Sequence, residues 1–366
     1  MIVPVSLGSR SYDIAFGSGN LHAIGAQLTA FRPISSAVVL TDTNVHHFGY
    51  AERVAASIAD AGIPAHVLSV AAGEQSKTIE TANSLWELLL TDGTDRKAVL
   101  VAVGGGVIGD LGGFVAATYA RGIRFFQVPT SLLAQVDSSV GGKVGIDLTA
   151  AKNMVGAFHQ PLGVLIDTET LQTLPEEQFL SGLGEVVKYG VSLDADLFRY
   201  IEMNIEPIKC RDNAVLQKIV AECCRIKAQI VSQDEYEISG QRILLNYGHT
   251  FAHAFEIASG YTLLHGLAVS MGMICAARLA LSLAGAEGTS LSVNLLDELL
   301  DRQIAIHRAL GLPVEYPSEF ERQYIIELMR RDKKSEFGTL RFVLPTGLGQ
   351  CRVWNDSDQA SHPLVF

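Results

Sequence analysis

Short, continuously apolar runs alternate with segments of helical period through the first half of the chain. AVVLTD (37–42) ends on an acid and leads into a helix-like stretch reaching about Gly62. AHVLSV (65–70) follows, then TIETANSLWELLL, where Ile79, Ala82, Leu85 and Leu88 or Leu89 fall on one face at the 3.6-residue period. AVLVAV (98–103) runs into Gly104-Gly105-Gly106 and a further helical stretch, and RFFQVPT and GVLIDT close the series. Such alternation predicts a parallel sheet with helices on both faces, and strands apolar throughout fit a sheet buried on both sides. The pattern changes after Thr173. Thr173-Leu174-Pro175-Glu176 reads as a capping-box start with proline in the first turn. From there to about residue 331 nearly every segment has helical period, with no repeat or low-complexity linker. The expected architecture is α/β plus all-α: a Rossmann-like parallel-sheet domain over 1–175 and a helical domain over 176–366. A small-molecule site is expected in the cleft between them.

Composition narrows the class. With 48% hydrophobic and 18% charged residues in 366, the chain is too apolar for disorder. Five cysteines, an odd number without a CxxC pair, read as buried thiols rather than a disulfide framework. Acidic residues number 39 against 28 basic ones, a net charge of −11 that would repel a phosphodiester backbone. No polybasic run offers a membrane anchor, and MIVPVSLGSRSYDIAF lacks the basic start and apolar core of a signal peptide. The two most apolar stretches are interrupted, one by Asp110 and the other by His265 and Arg278, so neither reads as a membrane span. A soluble, cytoplasmic protein acting on a small molecule is expected, with no nucleic-acid or membrane partner.

Three motifs carry candidate chemistry. Gly104 to Gly109 satisfies GxGxxG after a strand and before a helix, where glycines let a backbone approach a pyrophosphate at the helix N-terminus. It follows a late strand, however, and the acid that could hold a ribose is Asp42, at the end of an earlier one. A plain glycine turn packing helix on sheet explains the motif equally well. His249 and His253 share a helix face one turn apart, with His265 and Glu185 as further donors for zinc. Helix histidines are more often core hydrogen-bonding groups; three in so short a span, among only 10 in the chain, shift the balance toward metal. Glu185 and Lys188 stand three apart amid Val186, Val187 and Tyr189, which predicts a buried pair rather than a surface one. Arg121, Lys143, Lys152, Lys227 and Arg242 sit singly in apolar or glycine settings, where an anionic ligand accounts for them better than solvent. Lys333-Lys334 lies in an ordinary charged run.

Taken in order, GGGVIGDLGGFVAATYARGIRFFQVPTSLLAQVDSSVGGKVGID, AAKNMVGAFHQP, LIDT..LQTLP, GEVVKYG, LNYGHTFAHAFE and HGLAV closely resemble the 3-dehydroquinate synthase family of sugar-phosphate cyclases. The resemblance runs from about residue 8 to near residue 345. It implies an NAD-binding α/β domain, a helical domain with a metal in the cleft, and a homodimer. The implied activity converts 3-deoxy-D-arabino-heptulosonate 7-phosphate to 3-dehydroquinate and phosphate, a step of the shikimate pathway. The implied cofactors are NAD+ and Zn2+ or Co2+. The resemblance assigns the metal to Glu185, His249 and His265, whereas spacing alone favours His249 with His253; His253 becomes a proton-transfer and phosphate-contacting residue. NAD+ contacts fall to Asp42, Asn44, Glu74, Lys77, the turn through Gly105, Gly106 and Val107 to Asp110, Thr130, Ser131, Lys143, Lys152 and the stretch from Thr170 to Thr173. Substrate contacts fall to Asp137, Lys143, Asn153, Lys188, Lys227, Arg242, Asn246 and one of Lys333 and Lys334. Phosphate would be held by Lys143, Lys152, Asn153 and Arg121 of the partner subunit, and carboxylate by Lys227 and Arg242. Glu237 aligns with an acidic proton acceptor, so the implied catalytic set is His253, Glu237, Lys188, Asp137 and Asn246.

Four local departures stand out. The IleSerGlyGln segment before Arg242 is one residue longer than usual, Leu267 stands where HGEAV is usual, Ala252 replaces a glycine, and VPTS replaces VPTT. The family chemistry returns the hydride it removes, so NAD is not consumed. Rival readings are a cyclase acting on a sugar phosphate without a carboxylate, a metal-dependent polyol dehydrogenase that would release NADH, and a non-enzyme NAD-binding regulator.

Overall fold

The computed structural model describes residues 1–149, 151–285, 292–331 and 340–355; Lys333 and Lys334 lie outside them. The chain divides into two compact units, Met1–Pro175 with Lys227–Tyr236, and Glu176–Ile226 with Glu237–Phe366.

The first unit is built on a seven-stranded sheet. Its strands are β1 (Ile2–Val5), β2 (Tyr12–Gly17), β3 (Ala37–Asp42), β4 (Ala65–Val70), β5 (Val99–Gly104), β6 (Arg124–Pro129) and, after a separate hairpin of β7 (Lys143–Leu148) and β8 (Ala151–Phe158), β9 (Gly163–Asp167). The order is β1-β2-β9-β6-β5-β3-β4, parallel throughout except that β1 runs antiparallel to β2. Chain order reverses direction between β3 and β5, and such a switch point opens a crevice at the carboxyl ends of the strands. Both faces are covered. Val39, Val99 and Val101 pack with Val54 and Ile58 of the Tyr50–Asp60 helix on one face. Leu40, Leu100 and Ala102 pack on the other with the Ile79–Thr91 and Gly106–Thr118 helices.

Several expectations need correction. In the Ile79–Thr91 helix, Ala82, Leu85 and Leu89 are buried, whereas Ile79 and Leu88 are exposed. The helix begins at Ile79 behind a Thr78 cap, and the apolar stripe passes through Leu89. Thr173 caps no helix: its hydroxyl donates to the Thr170 carbonyl in a 3-10 turn, and the next helix begins at Glu176, after Pro175. The β7–β8 hairpin was not anticipated. Gly145 and Gly156 face one another across it, and a Cβ on Gly145 would lie 2.7 Å from the Val155 carbonyl oxygen.

In the second unit the principal helices are Glu176–Leu193, Ala195–Met203, Asn213–Gln233 as far as Ile226, His249–Ala258, His265–Ala284, Val293–Leu310 and Arg322–Arg331. A hairpin of β10 (Arg341–Gly347) and β11 (Gln350–Asn355), also unanticipated, accompanies them. His265–Ala284 is long and apolar enough to cross a membrane, with mean hydropathy 1.8, yet 78% of that window is buried within the protein, as in a core helix.

Candidate metal and dinucleotide centres

Three helices of the second unit each contribute one donor beside a glycine. Glu185 follows Gly184 in Glu176–Leu193, His249 follows Gly248 at the start of His249–Ala258, and His265 precedes Gly266 at the start of the next helix. These glycines are contact points between backbones. A Cβ on Gly184 would run into the Gly266 carbonyl, one on Gly266 into the Ser181 carbonyl, and one on Gly248 would sit 2.7 Å from the Met273 nitrogen. Gly248 also holds φ +79, a left-handed conformation that favours glycine.

The close approach brings the donors together. Glu185 Oε1 lies 3.5 Å from His249 Nε2 and 3.4 Å from His265 Nε2, and the three candidate ligand atoms all fall within 4.8 Å of one another. Zinc bonds of about 2.0–2.2 Å in a tetrahedron place donors about 3.3–3.6 Å apart, so the spacing fits such an ion. A donor set of two imidazoles and one carboxylate suits zinc or cobalt better than calcium or magnesium. Each histidine is also held from its far side: His249 Nδ1 lies 3.2 Å from the Tyr247 carbonyl and His265 Nδ1 3.4 Å from Glu256 Oε2. Burial drives His249 well below the usual histidine range despite the opposing charge of Glu185. Burial also acts to lower His265, but its bonds to Glu185 and Glu256 outweigh that and push it up to about 10. A cation entering this set would displace that proton.

Lys188 is fully buried and donates to Glu185 Oε2, so the pair expected from the sequence is present in the core. His253, one turn along from His249, stands beside the donors, its ring centroid 5.7 Å from that of His249 and 6.3 Å from that of His265. Arg242 is buried in the 3-10 turn Gln241–Asn246, and its Nε lies 3.4 Å from the carboxylate of exposed Glu237. Glu237 has φ 59, so the lengthened segment turns through a left-handed residue before reaching Arg242. Asn246 ends the turn and is half-buried. Sequence reasoning missed Glu256; its signal was the helix period, since Glu256 falls seven residues after His249 and therefore on the same face.

On the first unit, the residues expected to meet NAD+ gather at the carboxyl edge of the sheet. Gly104 ends β5, Gly105 precedes the Gly106–Thr118 helix, and Val107 and Asp110 lie in its first turns. A Cβ on Gly105 would lie 3.3 Å from Ser131 Oγ and one on Gly106 3.2 Å from Ser138 Oγ, so side chains there would fill the cradle a pyrophosphate needs. Asp42 ends β3, next to β5, but its Oδ1 caps the following short helix, accepting from the nitrogens of Asn44 and Val45. Thr130 and Ser131 follow β6, and Thr170 and Thr173 lie in the 3-10 turn after β9, where Thr173 shares a 2.7 Å hydrogen bond with the Tyr50 hydroxyl.

Behind this edge, buried Lys77 Nζ lies 2.6 Å from Asp110 Oδ2 and also donates to Asn153 Oδ1. Burial raises the Asp110 carboxyl, with Lys77 opposing; burial acts to lower Lys77, but Asp110 and Glu74 hold it above the usual lysine range. Lys152 Nζ stands 3.8 Å from Glu74 Oε1, and Asn153 takes a left-handed φ of 56 while its nitrogen donates to Asp147. Lys227 Nζ is 2.9 Å from Asp137 Oδ1 and donates to the Asp137 carbonyl at 2.7 Å. Lys143 is exposed at the start of β7, and Arg121 is exposed in a short turn where it and Ala120 both have positive φ.

Among solved structures, the chain is similar to 2-deoxy-scyllo-inosose synthase complexed with carbaglucose-6-phosphate, NAD+ and Co2+. The TM-score is 0.83 and the identity 26%, covering 97% of this chain and 94% of that one. It is similar also to 2-epi-5-epi-valiolone synthase from Streptomyces hygroscopicus subsp. jinggangensis 5008 with NAD+ and Zn2+ bound, at TM-score 0.81 and 28% identity over 94% and 92%. The fold and donor set thus define a dehydroquinate synthase-like cyclase. Residues 67–181 match the family model for the 3-dehydroquinate synthase N-terminal part, and residues 182–335 that for the C-terminal part. A 3-dehydroquinate synthase of Desulforamulus reducens is 48% identical over 98% of this chain and 97% of its own. The chain belongs to the 3-dehydroquinate synthase family.

Proposed function

We infer that this chain is a 3-dehydroquinate synthase, an NAD- and metal-dependent lyase converting 3-deoxy-D-arabino-heptulosonate 7-phosphate to 3-dehydroquinate and phosphate. The observation carrying this reading is the 48% identity across 98% of the chain, against 26% and 28% to cyclases that make other rings. When bound, NAD+ supplies a reversible hydride acceptor and a divalent ion supplies Lewis acidity toward substrate hydroxyls.

The remaining work falls to side chains of this protein. Glu185, His249 and His265 would hold Zn2+ or Co2+. Gly105, Gly106 and the helix start behind them would cradle the pyrophosphate, with Asp42 and Asn44 toward a ribose and Glu74, Lys77, Asp110, Thr130, Ser131, Thr170 and Thr173 lining the nucleotide. Lys143, Lys152 and Asn153 would take the substrate phosphate, and Lys227 and Arg242 its carboxylate. Lys188, buried on Glu185, would orient hydroxyls together with Asn246. His253 and Glu237 would move protons, with Asp137 holding Lys227 in place.

A homodimer acting in the cytoplasm completes the reading. Left-handed backbone at both Ala120 and Arg121 is costly for residues with a Cβ, and such strain is kept where a side chain must be presented. That supports a guanidinium offered to a second copy, so that phosphate would also meet Arg121 of the partner subunit. The test is an assay of purified protein with the heptulosonate phosphate and catalytic NAD+, scored for phosphate and dehydroquinate. Equal turnover of sedoheptulose 7-phosphate would move the chain to another cyclase, and one NADH released per product to the dehydrogenases.

A further inference from the structure

The helix that supplies His249 also carries Glu256, a buried carboxylate to which the proposed function gives no role. Its Oε2 lies 3.4 Å from Nδ1 of His265, a residue on the next helix whose Nε2 is 3.4 Å from Glu185 Oε1. Both ring nitrogens of His265 are therefore committed. An ionised carboxylate only accepts, so Nδ1 carries a hydrogen in either protonation state, and once a cation displaces the proton on Nε2 that nitrogen's lone pair is aimed at the donor cluster. His249 shows the same logic with a different acceptor, since its Nδ1 faces the Tyr247 carbonyl at 3.2 Å and its Nε2 faces Glu185. The two acceptors differ in kind. A carbonyl is fixed by the backbone and is neutral, whereas Glu256 brings a full negative charge into a buried setting.

We propose that Glu256 is a positioning residue for a divalent cation: its carboxylate fixes the tautomer and orientation of His265 and strengthens that imidazole as a ligand. The proposal rests on the reading of Glu185, His249 and His265 as a metal centre. Acceptors of this kind behind a ligating histidine change metal affinity by about 10- to 100-fold when removed. Position in the fold adds a second consequence. Because Glu256 and His249 share one helix, a shift of that helix moves a ligand and the support of another ligand together.

The test strips the full-length protein of metal and titrates it with Co2+, following visible d–d absorption and competition with a chromophoric chelator. Wild type, Glu256→Ala, Glu256→Gln and His249→Ala are compared, with NAD+ affinity and thermal melting reporting whether each variant is folded. Glu256→Ala should bind Co2+ about 10- to 100-fold more weakly with an altered d–d spectrum. Glu256→Gln, whose amide oxygen still accepts, should retain more affinity, and its preserved volume keeps the test open if the alanine variant does not fold. Wild-type affinity and spectrum in folded Glu256→Gln and Glu256→Ala, with binding lost in His249→Ala, would overturn the proposal while leaving the metal centre standing. Failure of the wild type itself to bind Co2+ would overturn the metal centre as well.

Discussion

His307 should make the second unit sensitive to mild acid. It is fully buried in the Val293–Leu310 helix, its Nδ1 lies 2.6 Å from the Gln303 carbonyl, and its Nε2 has no hydrogen-bond partner among the described residues. Nδ1 therefore donates, and a second proton on Nε2 would be buried without an acceptor. Burial pushes this histidine down to about 4, partly opposed by the carbonyl. The unfolded chain, with an ordinary value near 6.5, thus binds more protons than the folded one across the interval between them. Stability rises with pH there, is complete above the unfolded value, and is lost as pH falls; below about 4 the slope vanishes because both states are charged. Integrating the difference gives a loss of about 2 kcal/mol by about pH 5 and about 3 kcal/mol by about pH 4. Replacing His307 with leucine removes the titrating group. Urea unfolding of metal-free wild type and His307→Leu, taken stepwise from about pH 7 to about pH 4, isolates the term, since other groups cancel between the two proteins. The wild type should lose about 3 kcal/mol more than the variant over that range. Parallel stability profiles would refute the reasoning.

Chelation should abolish activity, added Zn2+ or Co2+ should restore it, and metal analysis of His249→Ala should find the ion missing, because three protein ligands are needed to hold it. NAD+ well below the enzyme concentration should still support turnover in proportion to the holoenzyme formed, with no lasting rise in NADH absorbance. Arg242→Ala should lower kcat/KM for the carboxylated substrate by at least about a hundredfold, from the roughly 3–5 kcal/mol cost of leaving a buried charge without its partner. Titration of the same variant with NAD+ should give nearly wild-type affinity, because the residues proposed to hold the nucleotide belong to the first unit.

Much of the first unit was legible because its signals are local. β5 followed by three glycines and a helix needs only neighbouring residues to be recognised, and the all-apolar strands announced a sheet covered on both faces. The hairpins were not legible. β7 and β8 owe their pairing to Gly145 and Gly156 facing each other across strands, and AAKNMVGAF by itself carries little β signal. The donor set shows the same limit. Helical spacing points to His249 with His253, whereas the third donor near Glu185 and His249 comes from a separate helix, brought in by contacts at Gly184, Gly266 and Gly248. Nothing in the periodicity of one helix records which backbone it touches. Family resemblance pointed to Glu185, His249 and His265 because motif order preserves information that spacing lacks.

Those glycine contacts bear on which ions the centre can accept. Elsewhere in a core, side chains can repack to widen or narrow a gap, but here helix backbone meets helix backbone, and neither has a rotamer to change. The separation of the backbones that carry the donors is consequently set by the polypeptide rather than by the cation. A tetrahedron with bonds near about 2.1 Å has edges of about 3.4 Å, and Glu185 stands 3.4 Å from His265, whereas calcium is completed by about six to eight oxygen ligands. Coordination number, on top of donor softness, thereby becomes a criterion of admission: three donors held on closely packed backbones suit a four-coordinate ion with one position left open better than an ion that must gather about twice as many ligands.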